Sequence, residues 1–209
     1  MKILVVFGTR PEAIKMCPLV NELYKRKQLN TVVCVTGQHK EMLKQVMDAF
    51  GVVSDYDLEI MKTKQDLFDV TCSILSGLKS ILEHERPDLV LVHGDTSTSF
   101  ATALACFYLR IPIGHIEAGL RTNNLYSPYP EEFNRHAISI LAEVNFSPTQ
   151  NARYNLLNEG ISEKSIHVTG NTVIDALKTT VRESFNHEIL DWVGADRLIL
   201  ITAHRRENI

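Results

Sequence analysis

A parallel, doubly wound α/β sheet is the fold this sequence predicts, and three observations predict it. Short apolar runs rich in β-branched residues alternate with longer amphipathic segments along the whole chain, the pattern of strands joined by crossover helices. The central runs are near-continuously apolar rather than alternating, so those strands are buried on both faces. The runs end in turn and cap residues (Gly, Asp, Thr), with Pro or Ser/Thr opening the next helix.

The elements follow in order. Lys2 to Phe7 is the first strand, and Gly8-Thr9-Arg10-Pro11-Glu12 comes after it. Pro11 suits a first helical position, and Glu12 complements the positive end of the helix dipole. Gly8 lets the backbone turn closely, so free amides at this helix start are expected to hold an anion, with Arg10 and Lys15 nearby. Pro18 removes one backbone bond inside the helix and predicts a kink. Thr31 to Thr36 is the second strand, ending at Gly37-Gln38-His39. Lys40 to Phe50 is a helix with Met42, Leu43, Val46 and Phe50 on one face. Residues 51–60 read as irregular or strand-like and 62–65 as a solvated loop. Gln65 to Glu85 is a long amphipathic helix closed by Arg86-Pro87.

Asp88 to Thr122 is the stretch around which the chain is organised. Leu89 to Val92 is an apolar strand that breaks at Gly94-Asp95, and Thr96, Ser97 and Thr98 are helix caps. Phe100 to Arg110 is a helix that Pro112 stops. Ile111 to Ile116 is the next strand and ends on Glu117. Asp95 and Glu117 therefore lie just past the carboxyl ends of two strands, the edge where open α/β sheets bind ligands. Either acid alone reads as readily as a cap or a solvated group. The pair at one edge points to a site.

A loop, 123–130, carries two prolines and two tyrosines beside that edge. It leads into a helix from Glu131 to Leu141, with Arg135 one turn after Glu131, a spacing that by itself is a surface ion pair. Val144–Ser147 is a strand, Pro148–Leu157 a helix, Ile166–Thr169 a strand and Val173–Phe185 a helix. Residues 186–196 read as a linker and Arg197 to Thr202 as a further strand. That strand ends in Ala203-His204-Arg205-Arg206-Glu207, which echoes Gly8-Thr9-Arg10-Pro11-Glu12. The expected organisation is a domain over 1–185, then a linker and the opening strand of a second domain of the same kind over 186–209.

Composition narrows the classes. With 44% hydrophobic and 22% charged residues in 209, the chain fits one full-size globular domain. A net charge of -3 offers no basic field for nucleic acid or anionic membranes. No apolar run approaches the ~20 residues of a membrane span, and no signal peptide opens the chain. Cys17, Cys34, Cys72 and Cys106 lack any paired or metal-binding spacing and suit a reduced, cytoplasmic setting. GxGxxG, Walker, HExxH and GxSxG motifs are all missing, so no cofactor or metal is expected. What remains is carboxylates, a histidine and cations converging on one sheet edge, a set suited to proton transfer beside a phosphate-bearing ligand.

The blocks FGTRPEAIKMCPL (7–19), VHGDTSTS (92–99), GHIEAGLRT (114–122), SPYPEEFNR (127–135), TGNTVIDAL (169–177) and TAHRREN (202–208) resemble the non-hydrolysing UDP-N-acetylglucosamine 2-epimerases over essentially the whole chain. The resemblance implies the N-terminal half of a two-domain, Rossmann-like glycosyltransferase-B-type fold. It implies interconversion of UDP-N-acetylglucosamine and UDP-N-acetylmannosamine by elimination and re-addition of UDP through 2-acetamidoglucal, in bacterial surface-polysaccharide synthesis. By the same resemblance Asp95, Glu117 and Glu131 are acid/base and charge-stabilising carboxylates, and His204 assists UDP departure. Arg10, Lys15, Arg135 and Arg205 steady the substrate, and the full-length form is a homodimer. Gln38, Glu131 and Arg205 match positions of an activating second substrate site. Glu41 and Lys64 stand where a regulated member would carry Gln and Arg. Two other readings stay open: a glycosyltransferase on the same architecture, and a non-catalytic nucleotide-sugar-binding domain.

Overall fold

The computed structural model describes residues 1–37, 40–181, 184–194 and 196–201. Met1–Thr179 forms one compact unit and 180–209 a second, smaller one. The first unit is built on a seven-stranded sheet. Its strands are β1 (Lys2–Phe7), β2 (Asn30–Val35), β3 (Tyr56–Asp57), β4 (Leu89–His93), β5 (Ile113–Ile116), β6 (Val144–Ser147) and β7 (Ile166–Val168). They lie in the order β3-β2-β1-β4-β5-β6-β7, each paired in parallel with its neighbours. Chain direction across the sheet reverses between β1 and β4, which makes that gap the switch point where such sheets open a crevice.

Both faces of the sheet are covered, as the apolar runs require. In β1, Leu4 and Val6 face a core shared with α3 (Leu67–Glu85), α4 (Ser97–Leu109) and Ile138 of α5 (Glu131–Leu141). Ile3, Val5 and Phe7 face the other side, against α1 (Arg10–Tyr24) and α2 (Lys40–Phe50). At the far edge, α6 (Gln150–Asn158) sets Leu156 against Ala118 and Ile166. The unit closes with α7 (Val173–Thr180).

Local chemistry sets the helix starts. Thr9 and Asp66 each close a reciprocal capping box, with Glu12 and Asp69, at the heads of α1 and α3. Thr96 caps α4 by accepting from the Ser99 amide, so α4 begins at Ser97 rather than at the expected Phe100. α1 runs unbroken through Pro18, because Met16, Cys17 and Val20 bury that face and outweigh one missing backbone bond. β5 starts at Ile113, not Ile111: Pro112 has no amide to donate, and only its carbonyl joins the sheet, accepting from Val90. α7 ends at Thr180, short of the expected Phe185.

Cys17, Cys34 and Cys106 are core residues whose thiols burial pushes up to about 12, while Cys72 is exposed. Among the described residues, no helix is long and apolar enough to cross a membrane. In the second unit, α8 (Glu188–Val193) is a short helix capped by the His187 side chain. Residues 197–201, expected as a strand, carry no regular structure. A strand needs a neighbour to satisfy its backbone groups.

Candidate functional site

The turns after β1, β4, β5 and β7 gather at the carboxyl edge of the sheet, and four anchors, one of them an ion pair, shape it. The first is Glu12, which is 2% exposed. Its Oε2 accepts from the amides of Gly8 (3.0 Å) and Thr9 (2.8 Å), and its Oε1 accepts from Thr96 Oγ1 at 2.6 Å. Ser99 Oγ lies 3.1 Å from Oε1 and 2.6 Å from the His93 carbonyl, with a single proton to serve them. Glu12 thus ties the turn after β1 to the turn after β4 across the switch point. The sequence suggests free amides here for an anion. They are not free, because a buried carboxylate already holds them. These two amides are therefore closed to an anion. Gly8 permits the close approach: a Cβ there would lie 2.0 Å from Thr36 Oγ1 and 2.6 Å from Thr98 Oγ1.

Glu117 is the second anchor. It adopts a left-handed backbone (φ 63°), an uncommon and costly conformation for a residue with a side chain. The flanking backbone over-determines it, through Gly94 N–H to the Ile116 carbonyl and Ala118 N–H to the Phe146 carbonyl. Gly119 makes room next door: a Cβ there would meet the Ala152 carbonyl oxygen at 2.2 Å. The Glu117 carboxylate accepts from Lys15 Nζ with both oxygens (2.8 and 2.6 Å) and from Asn171 Nδ2 at 2.6 Å. His93 Nε2 stands 3.7 Å away. Burial alone would raise the Glu117 pKa, but His93 and Lys15 together outweigh it and bring the carboxyl down to about 2.

Asp95 and Arg135 form the third anchor, an ion pair at the start of α4 and the first turns of α5. Asn134 Nδ2 donates to the Asp95 carbonyl at 2.9 Å. Arg135 does not pair with Glu131, the surface bridge that the spacing suggests. It turns inward to Asp95 and to Glu132 (3.3 Å).

Glu132, fully buried, is the fourth. Its Oε1 accepts from the amides of Thr122 and Asn123, both at 2.9 Å, and so fixes the start of the 123–130 loop. Burial pushes its pKa up, yet those amides and the Arg135 charge leave it lowered overall.

Beneath these, His115 is fully buried, with Nε2 2.7 Å from the Gly94 carbonyl. Burial brings its pKa down to about 3, so the ring is neutral and donates that proton to Gly94. It thereby braces the Gly94-Asp95 turn.

The sequence-predicted residues distribute as follows. Asp95, Glu117, Lys15 and Arg135 meet at this edge in two separate ion pairs. Glu131 opens α5 one turn before Arg135, and is half-buried. Arg10 is exposed at the head of α1. Glu41 and Lys64 are exposed, on α2 and on the connection from β3 to α3. Gln38, His204 and Arg205 lie outside the described residues. Glu12 reads in the sequence only as a dipole partner, and His93, His115, Glu132 and Asn171 carry no site reading there. His93 and Asn171 each end a strand or open its following turn, a signal that was legible in VHGD and TGNT. Among the described residues, no three His, Cys, Asp or Glu side chains are grouped so as to hold a metal ion.

Comparison with known proteins agrees on one family. The family described as UDP-N-acetylglucosamine 2-epimerase matches residues 21–209. The UDP-N-acetylglucosamine 2-epimerase of Bacillus subtilis is 54% identical over 209 residues, covering 100% of this chain and 55% of that protein. The crystal structure of the Neisseria meningitidis UDP-GlcNAc 2-epimerase bound to UDP-GlcNAc superposes with a TM-score of 0.84 at 56% identity, over 86% of this chain and 48% of that one. The S. aureus MnaA–UDP co-structure gives a TM-score of 0.93 at 50% identity, over 100% of this chain and 55% of its own. The chain thus spans about half the length of the relatives it matches.

Proposed function

Because this chain belongs to the UDP-N-acetylglucosamine 2-epimerase family, we propose that it carries the proton-transfer half of a site that interconverts UDP-N-acetylglucosamine and UDP-N-acetylmannosamine. The observation that carries the reading is the pair of carboxylates at one sheet edge, each with its own cation from a different helix layer. Glu117 is held by Lys15 of α1, and Asp95 by Arg135 of α5.

The chemistry needs that arrangement. The hydrogen at sugar carbon 2 is not acidic, since no ring carbonyl adjoins it. The proposed step therefore breaks the C2–H bond as the C1–O bond to UDP breaks. The proton goes to a carboxylate, the C–H electron pair becomes the C1–C2 double bond of 2-acetamidoglucal, and UDP departs with the C–O pair. The return adds a proton to the other face of carbon 2 while UDP re-forms its bond to C1. Two faces call for two proton-transfer groups. We assign proton uptake to ionised Glu117. We assign the opposite face to Asp95 and Glu131, and steadying of the diphosphate to Arg10, Lys15 and Arg135, on the family resemblance. His204 and Arg205 are assigned to UDP departure on the family resemblance. The remaining length of such proteins supplies the second wall, and the working form is a homodimer.

The test is incubation of the full-length protein with UDP-N-acetylglucosamine in heavy water. The expected result is deuterium at carbon 2 of both epimers, with UDP appearing only transiently. Epimerisation that retains the original hydrogen overturns the elimination route. UDP release that depends on an added acceptor would instead mark a glycosyltransferase.

A further inference from the structure

Glu117 Oε2 accepts from Lys15 Nζ and from Asn171 Nδ2, each at 2.6 Å. A carboxylate oxygen presents two in-plane lone pairs, so these two donors fill it. Yet His93 Nε2 lies 3.7 Å from that same oxygen, on a side chain 5% exposed, and makes no hydrogen bond. A buried polar atom without a hydrogen bond is costly, and this one faces, at ion-pair distance, an acceptor oxygen already filled by two closer donors. His93 itself is fixed, ending β4 with its carbonyl held by Ser99. Lys15 is the mobile member: its side chain is 23% exposed, on a four-carbon stem. Glu117 cannot follow it, because the backbone on both sides is pinned to neighbouring strands.

We propose that Glu117 exchanges Lys15 for His93 when a phosphate-bearing ligand draws the lysine away, which makes His93 the positioning residue of the loaded site. The inference rests on the nucleotide-sugar reading above. The Gly8 and Thr9 amides are already occupied by Glu12 and do not serve an arriving diphosphate, whereas Lys15, beside them at Glu117, offers a side-chain cation. Its departure frees one lone pair on Oε2 while Asn171 keeps the other. His93 then closes less than 1 Å, from 3.7 Å to an ordinary hydrogen-bond length of about 2.9 Å. The exchange has a chemical consequence. Loss of the ammonium removes one of the two groups that hold the carboxyl low, so ligand arrival both aims Glu117 and raises its basicity. The charged and titratable groups facing Glu117 are Lys15 from α1, His93 from β4 and, behind them, the neutral His115 of β5.

The full-length protein tests this through His93→Phe, which removes the donor at similar volume, and His93→Gln, which restores an N–H. kcat/KM reports the free enzyme and kcat the loaded one. For His93→Phe the acid limb of kcat moves up by about one pH unit, further than that of kcat/KM, where Lys15 still holds Glu117, and kcat falls roughly tenfold or more. His93→Gln recovers most of the rate. A second readout is direct: on addition of UDP to wild type, the His93 Nε2 resonance in ¹⁵N NMR shifts and its proton becomes slow to exchange. A loss of rate without limb displacement, a Gln variant as poor as Phe, or UDP binding with an unmoved His93 resonance each overturns the proposal. If calorimetry detects no UDP binding and wild type does not epimerise, the nucleotide-sugar reading fails first and the exchange falls with it.

Discussion

Glu117 and Asp95 follow adjacent strands and each meets one cation, but the two pairs are built differently. Glu117 is 12% exposed, on a strained backbone, and faces a flexible lysine. Asp95 is 29% exposed and faces a guanidinium that also engages buried Glu132, which in turn holds the next loop. One side has a rigid acid and a movable cation. The other has a rigid cation and a more open acid. The difference matters because a lysine is an exchangeable point charge, whereas an arginine fork fixes geometry. The Glu117 side is suited to a change of partner during a reaction, and the Asp95 side to holding a frame.

The sharpest way to break this comparison is to remove the charge on the rigid acid. Glu117→Gln in the full-length protein is expected to lower kcat by roughly 10²–10⁴-fold, the usual range for a proton-transfer group. Binding of UDP-N-acetylglucosamine should change little. A rise in KM with kcat unchanged would show that Glu117 only places Lys15.

The next largest effect is expected on the frame under Glu117. Gly119 has φ 89°, and an added Cβ would sit 2.2 Å from the Ala152 carbonyl oxygen. Gly119→Ala should destabilise the fold by about 3 kcal/mol through strain and overlap. Gly160→Ala is the control: its φ is 81°, but nothing lies within 4 Å of the new methyl group. It should cost only about 1 kcal/mol. Equal urea midpoints for the two variants would mean that α6 does not press on the Glu117 turn.

These positions also show where the sequence was readable. The sheet, its parallel sense and the placing of Asp95 and Glu117 at one edge followed from apolar runs and turn residues, which are local signals. β3 was legible only as part of an irregular or strand-like stretch, 51–60, since two residues leave no period to detect. Glu12 read as a dipole partner because helix rules see only its own chain neighbours, and its bonds to Thr96 and Ser99 span 84 and 87 residues. Arg135 read as a partner of Glu131 for the same reason, though Asp95 lies 40 residues away. His93 and His115 sit on strands where alternation assigns a face but not a partner. What each touches depends on which helix covers that face, and no local pattern carries that information.

On the Asp95 side, Arg135→Lys keeps the charge and loses the fork that spans Asp95 and Glu132. The expected cost is about 1 kcal/mol in urea unfolding, with a loss of up to roughly tenfold in kcat/KM. Lys15→Arg supplies the converse test, because a fork in place of the mobile ammonium should resist the exchange and slow turnover more than binding. Should both swaps prove neutral, the contrast between fixed and movable cations has no functional weight.

The smallest effect is the acid dependence of the Glu117 pair. Its carboxyl falls from an ordinary 4.5 to about 2 on folding. A depressed carboxylate stabilises the fold fully above its unfolded value and loses that contribution as pH drops through its folded value. The window therefore runs from about 4.5 down to about 2. Lys15→Met removes the cation and, since the pair is partly exposed, should cost at most about 1 kcal/mol near neutral pH. The test is the stability gap between wild type and Lys15→Met at about pH 5 and about pH 3. The gap should narrow at the lower pH, because Glu117 without its cation takes up a proton and sheds the unpaired charge while the wild-type carboxyl, at about 2, is still ionised. A gap that holds constant would assign the loss to packing of the lysine stem, and the Glu117 side would then be no more ionic in character than the apolar layers beneath it.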